Sequence, residues 1–158
     1  MRRAARGFTL VELMITVAIA GVLVAMAVPA REIVVKRQNE RELRSALREI
    51  RGALDAYKRA VDEGRLPVAV GESGYPKSLE DLVRGIDNPA SPGREKIYFL
   101  RRLPRDPFNR DESLAAAQTW GKRSYASAPD EPKEGADVFD VFSLAKEKGL
   151  NGVPYRDW

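Results

Sequence analysis

One apolar run dominates the hydropathy pattern of this chain. From Phe8 to Ala30 there are 23 residues and a single charge, Glu12. A helix rises about 1.5 Å per residue, so that length matches the hydrocarbon thickness of a bilayer. The pattern predicts a membrane helix over 8–30. Beyond Arg31 the chain turns charged, and no apolar stripe emerges until Leu43. Then Leu43, Leu47, Ile50, Leu54, Tyr57 and Val61 recur at spacings of 4, 3, 4, 3 and 4, one face of an α-helix. The spacing predicts an amphipathic helix over 42–61, stopped by Gly64 and Pro67, with 31–42 as a continuous helical bridge. Within the bridge, Glu32 with Lys36 and Glu40 with Arg44 are spaced to pair at i,i+4.

The remainder has shorter signals. Residues 64–95 are rich in Gly, Pro and Ser and predict a loop that holds one short helix, Leu79–Arg84, with Ser78 as its cap. Ile97–Arg102 fits strand or helix and is ended by Pro104 and Pro107. Lys122–Ala128 and Asp137–Ala145 predict strands, joined by a Pro- and Gly-containing hairpin loop over 129–136. Trp158 is placed to pin an irregular tail to the core. The fold class expected is α+β: a long N-terminal helix whose second half packs on a small antiparallel sheet, in a lollipop outline. The domain boundaries expected are a leader at 1–7, an apolar helix at 8–30, an amphipathic helix at 31–63 and a globular domain at 64–158.

Composition narrows the chemistry. The chain has no histidine and no cysteine. Ser-His-Asp, Cys-His and zinc–histidine chemistry are therefore excluded, and the reading is of a protein that is not an enzyme. No disulfide is available, which an oxidising compartment permits. Of the formal net charge of +4, Arg2, Arg3 and Arg6 supply three, so the basic excess belongs to the leader and not to a nucleic-acid surface. Those arginines favour a cytoplasmic N-terminus, whereas Arg31, Lys36 and Arg37 beyond the run argue the other way. An ordinary secretory signal cut near Ala25-Met26-Ala27, or a plain uncleaved anchor, is a competing reading; Glu12 inside the apolar run counts against the first.

The residues Gly7-Phe8-Thr9-Leu10-Val11-Glu12 after a short basic leader resemble a type IV pilin-like prepilin. Tyr75-Pro76 and Leu103-Pro104-Arg105-Asp106-Pro107, with Ser124-Tyr125 and Asp140-Val141-Phe142-Ser143-Leu144, are similar to the major pseudopilin of type II secretion systems, the G-type subunit. The resemblance implies cleavage by a prepilin peptidase between Gly7 and Phe8 and N-methylation of Phe8. It implies a membrane-lipid-embedded precursor with a cytoplasmic N-terminus, an inner-membrane assembly platform, and polymerisation with itself and other pseudopilins into a periplasmic filament. It also decides the orientation that the charge rule leaves open. Glu12 would pair with the Phe8 amine of a neighbouring copy, since opposite charges attract strongly in a low-dielectric layer; the alternative is a carboxylate that snorkels to the headgroups. Gly21 and Pro29 match the family pattern, and the segment between them either melts on assembly or forms a gentle kink. The family's major pseudopilin binds calcium in the loop after its last strand. Here that loop reads Ala145-Lys146-Glu147-Lys148-Gly149-Leu150-Asn151-Gly152, without aspartate, and the only candidate ligands are Glu147, Asn151 and Asp157. Two alternative functions stay open: a minor type IV pilin of a pilus or DNA-uptake machine, and a membrane-anchored periplasmic binding or sensor domain.

Overall fold

A computed structural model describes residues 8–158 except 90, 92 and 94, and within it the side chains of 24–30 lie outside the description. The first element is a single helix, α1 (Leu10–Asp62). Contacts divide the chain into two units, Met1–Gln38 and Asn39–Trp158.

In the first unit the described residues are helix apart from Phe8 and Thr9. Every large apolar side chain described from Phe8 to Leu23 is more than half exposed. Among the described residues no helix is long and apolar enough to cross a membrane. The rest of the expected 23-residue span, 24–30, falls where side chains are not described.

In the second unit the α1 stripe becomes the core. Leu43, Leu47, Ile50 and Leu54 are buried, with Ala46 and Ala53 in the same core cluster. Each buried leucine or isoleucine stabilises by about 1.5–3 kcal/mol relative to exposure. They pack against Leu79, Leu82, Leu100, Trp120, Val138, Val141 and Tyr155. The helix stops where expected: Gly64 takes φ 71° while its N–H and that of Arg65 donate to the Val61 and Ala60 carbonyls.

The rest of the unit is built from short pieces: helix α2 (Asp81–Arg84), strands β1 (Ile86–Asp87) and β2 (Lys96–Ile97), a 3-10 turn at Ala116–Thr119, strands β3 (Trp120–Arg123) and β4 (Asp140–Ser143), and a 3-10 turn at Tyr155–Asp157. β1 pairs with β2 and β3 with β4, both antiparallel, in two separate two-stranded sheets. Gly121 faces Phe142 across the β3–β4 ladder, and a Cβ there would sit 2.3 Å from the Phe142 ring, so only glycine fits.

Several local expectations need adjustment, and the strand expected over 137–145 is confined to β4, Asp140–Ser143. β3 begins two residues earlier than predicted and ends at Arg123. The Asp137 carboxylate captures Ser124 Oγ and the Tyr125 N–H, and Ser124 N donates to the Lys133 carbonyl, so the chain leaves the ladder. The 97–102 segment is strand only at its start, because Phe99 N and Leu100 N both donate to the Leu82 carbonyl within α2. α2 is not capped by the Ser78 hydroxyl; Ser78 N instead donates to the Asp81 carboxylate, 3.0 Å away.

Candidate functional site

The N-terminal motif sits at the first turn of α1. Gly7 lies outside the described residues, and Phe8 is exposed. Thr9 and Glu12 form a reciprocal cap: Glu12 N donates to Thr9 Oγ1 at 3.2 Å, while Thr9 N and Oγ1 each donate to Glu12 Oε2 at 3.4 Å. The Thr-x-x-Glu spacing before an apolar run is a sequence signal for this cap. The negative carboxylate also lies favourably at the positive end of the helix dipole. The backbone stays helical through Gly21 and Pro29. A Cβ at Gly21 would meet nothing within 4 Å, so this glycine leaves the helix surface open rather than relieving a clash. Pro29 falls among the residues whose side chains are not described.

The second unit is closed by three polar clasps. Glu40, buried on α1, accepts hydrogen bonds at Oε1 from Leu150 N (2.7 Å) and Tyr155 Oη (3.1 Å). The expected Glu40–Arg44 pair gives way to this, while Arg44 stacks 4.3 Å from the Trp158 ring centroid. Asp106, also buried, accepts from Ser143 Oγ (2.5 Å) and Phe108 N (2.8 Å), and its own N–H donates to Thr119 Oγ1 (3.1 Å). One residue ahead of Arg105, the Pro104 carbonyl accepts the Trp120 indole N–H. The Leu-Pro-x-Asp-Pro stretch is thus a latch on β3 and β4. Arg51 donates to Asp140 Oδ1 (2.8 Å), the Val141 carbonyl (3.1 Å) and the Trp158 carbonyl (2.9 Å). The ion pair is partly exposed and worth less than about 1 kcal/mol by itself. Its effect is geometric, tying α1 to β4 and to the last turn.

Burial pushes the phenols of Tyr57, Tyr75 and Tyr155 up, and the hydrogen bond to Glu40 pushes Tyr155 further. The folded unit therefore holds these protons more tightly than the unfolded chain, whose tyrosines ionise near pH ~10. Stability is fully present below that pH and falls as pH rises through it. Denaturant midpoints measured across about pH 8–11 are expected to decline at the alkaline end, and less steeply for Tyr155→Phe. A flat wild-type profile would count against the buried phenols.

The calcium candidates are engaged by neighbouring protein groups. Asn151 Oδ1 accepts from Val153 N (3.1 Å), Asp157 lies 3.8 Å from Arg156 Nε, and the backbone carbonyl of Glu147 accepts from Tyr155 N. Among the described residues no three Asp, Glu, His or Cys side chains cluster as a metal site.

Glu40 and Arg51 carried readable signals that sequence reasoning missed. Glu40 stands one turn ahead of Leu43 on the apolar stripe, where a solvated carboxylate is out of place, and Arg51 lies three residues before Leu54 at its edge.

A long helix with an exposed apolar, self-capped start, continuing into a small α+β unit, defines a pilin-like subunit. Residues 2–28 match the prokaryotic N-terminal methylation motif. The type II secretion system core protein G of Pseudomonas aeruginosa is 32% identical over 147 residues, covering 89% of this chain and 94% of that one. The protein of the same name in Vibrio cholerae is 30% identical over 160 residues (99% and 93%), and that of Klebsiella pneumoniae 28% over 147 (90% and 97%). No solved structure matches the chain significantly. The chain belongs to the type II secretion system core protein G family.

Proposed function

We propose that this chain is a structural pseudopilin: a precursor held in the inner membrane through residues 8–30, cut between Gly7 and Phe8 by a prepilin peptidase, methylated at Phe8, and polymerised with copies of itself and other pseudopilins on an inner-membrane assembly platform. The 31–63 helix then carries the 64–158 domain in the periplasm, and the subunit acts as a building block rather than a catalyst. The observation that carries the reading is one carboxylate, Glu12, at the start of an otherwise apolar helix whose side chains from Phe8 to Leu23 are exposed. Exposed apolar surface on that scale calls for a lipid or protein cover, and a lone charge within it calls for a counter-charge. Cleavage creates one at the Phe8 amine. Within a single subunit Glu12 is occupied by Thr9, through long hydrogen bonds that a neighbour's cationic amine can displace. Gly21 and Pro29 are the positions at which the helix is easiest to unwind during packing.

The test is the mature N-terminus. Protein purified from the membrane is expected to begin at Phe8 and to carry one additional methyl group on its amine, read by intact-mass analysis and N-terminal sequencing. Recovery of the chain with Met1 and Arg2 still attached would rule the reading out.

A further inference from the structure

A calcium site collects about six to eight hard oxygens, and several of the oxygens in and beside the 145–152 loop are engaged by the protein itself. The Glu147 carbonyl accepts from Tyr155 N (3.3 Å), the Gly149 carbonyl from Gly152 N (2.9 Å), and the Val153 carbonyl from both Gly149 N (2.9 Å) and Trp158 Nε1 (3.3 Å). Asn151 Oδ1 serves Val153 N, and Asp157 faces Arg156. Lys146 and Lys148 bring positive charge to either side of Glu147. These residues do not fit the calcium ion that the family resemblance implies.

We infer that in this chain the C-terminal loop is closed by the protein's own carboxylate, Glu40, and that the Asn39–Trp158 unit folds without a divalent cation. Glu40 comes from α1 and reaches the loop 110 residues later, where Oε1 receives the Leu150 N–H at 2.7 Å. The same oxygen receives the Tyr155 hydroxyl, whose ring stacks on Phe108 with centroids 4.1 Å apart. A cation would close such a loop by gathering its carbonyl oxygens; a carboxylate closes it by gathering its donors. Two N–H and O–H groups aimed at one oxygen form a charge-assisted pair, stronger than neutral bonds. Trp158 also packs on the loop, so close to Gly149 that a Cβ there would lie 2.4 Å from the indole. The Arg44 guanidinium lies over that indole, 4.3 Å from its centroid. Helix, loop and the turn at Phe108 are thereby joined without a metal. The inference stands on this unit alone and is independent of the polymer reading.

The test uses the full-length chain in detergent micelles, with thermal unfolding followed in excess EGTA and in millimolar calcium chloride. The midpoints are expected to agree within about 1 °C, since a ligand without a native site adds nothing by mass action. A rise of several degrees with calcium, or stoichiometric calcium binding in equilibrium dialysis, overturns the inference. Glu40→Gln keeps the shape and removes the charge; hydrogen exchange at the Leu150 amide is expected to quicken about tenfold or more, with no recovery on adding calcium. Should that variant fail to fold, Tyr155→Phe removes only the hydroxyl and is expected to quicken Leu150 while leaving Val141 unchanged. Wild-type exchange at Leu150 in the folded variants, or restoration by calcium, overturns the inference.

Discussion

Asp106→Ala is expected to lower the stability of the Asn39–Trp158 unit by about 2–4 kcal/mol. Asp106 is 2% exposed and its bonds converge from three parts of the fold: its carboxylate accepts from Ser143 Oγ on β4 and from Phe108 N beyond Pro107, and its own N–H donates to Thr119, the last residue of the 3-10 turn before β3. Alanine leaves the Ser143 hydroxyl and the Phe108 amide without their acceptor in a space closed to water, and it opens a small void. Each stranded buried donor costs about 1–3 kcal/mol. Asp106→Asn retains an acceptor and a near-identical shape, so it should lose less, about 1–2 kcal/mol. Denaturant unfolding of the full chain in micelles, followed by the fluorescence of Trp120 and Trp158, measures both. Trp120 lies in the same latch, its indole bonded to the Pro104 carbonyl at 2.9 Å. An alanine variant within about 0.5 kcal/mol of wild type would mean that Asp106 does not hold the latch.

Glu12→Ala is expected to insert in the membrane and be trimmed normally, yet to yield at least about tenfold less filament, the equivalent of about 1.4 kcal/mol or more per contact. A carboxylate and an amine each bear a desolvation penalty when buried, and only their pairing offsets it. With Glu12 gone, the Phe8 amine of the next copy enters the packed apolar helices alone. Glu12 also caps its own helix through Thr9, and loss of a cap costs about 0.5–2 kcal/mol. Thr9→Ala separates the two effects, because it removes the cap and keeps the charge. Filaments should persist in Thr9→Ala and vanish in Glu12→Ala, as judged by electron microscopy and by cross-linking of overexpressed subunits. Equal losses in the two variants would assign Glu12 to helix capping alone.

Both experiments turn on side chains of different legibility. Glu12 stands out on inspection because a charge inside a 23-residue apolar run is conspicuous. The amphipathic helix was equally plain: Leu43, Leu47, Ile50 and Leu54 repeat with the helical period, and all four are buried. Helix stop and strand neighbourhood followed from Gly64, Pro67, the alternation around Tyr125 and the apolar residues of 137–145. The strand ends did not, because they are cut by Asp137 reaching back to Ser124 and by the Leu82 carbonyl taking Phe99 N and Leu100 N. Neither capture is visible as a period. The i,i+4 spacing offers Arg44 as the partner of Glu40; the fold buries Glu40 and sets Arg44 over Trp158.

From sequence alone came the apolar run over 8–30, the motif around Gly7 and Glu12, the α+β class and the resemblance to the family, since each rests on neighbouring residues or on a repeat of 3.6 or 2 positions. Tertiary structure alone decided which polar groups hold the second unit together. Glu40 meets Leu150 across 110 positions, Arg51 meets Asp140 across 89 and Asp106 meets Ser143 across 37. The physical reason is that a buried polar atom needs a donor or acceptor at about 3 Å, and chain closure chooses among many chemically equivalent partners only once the apolar stripe of α1 has packed.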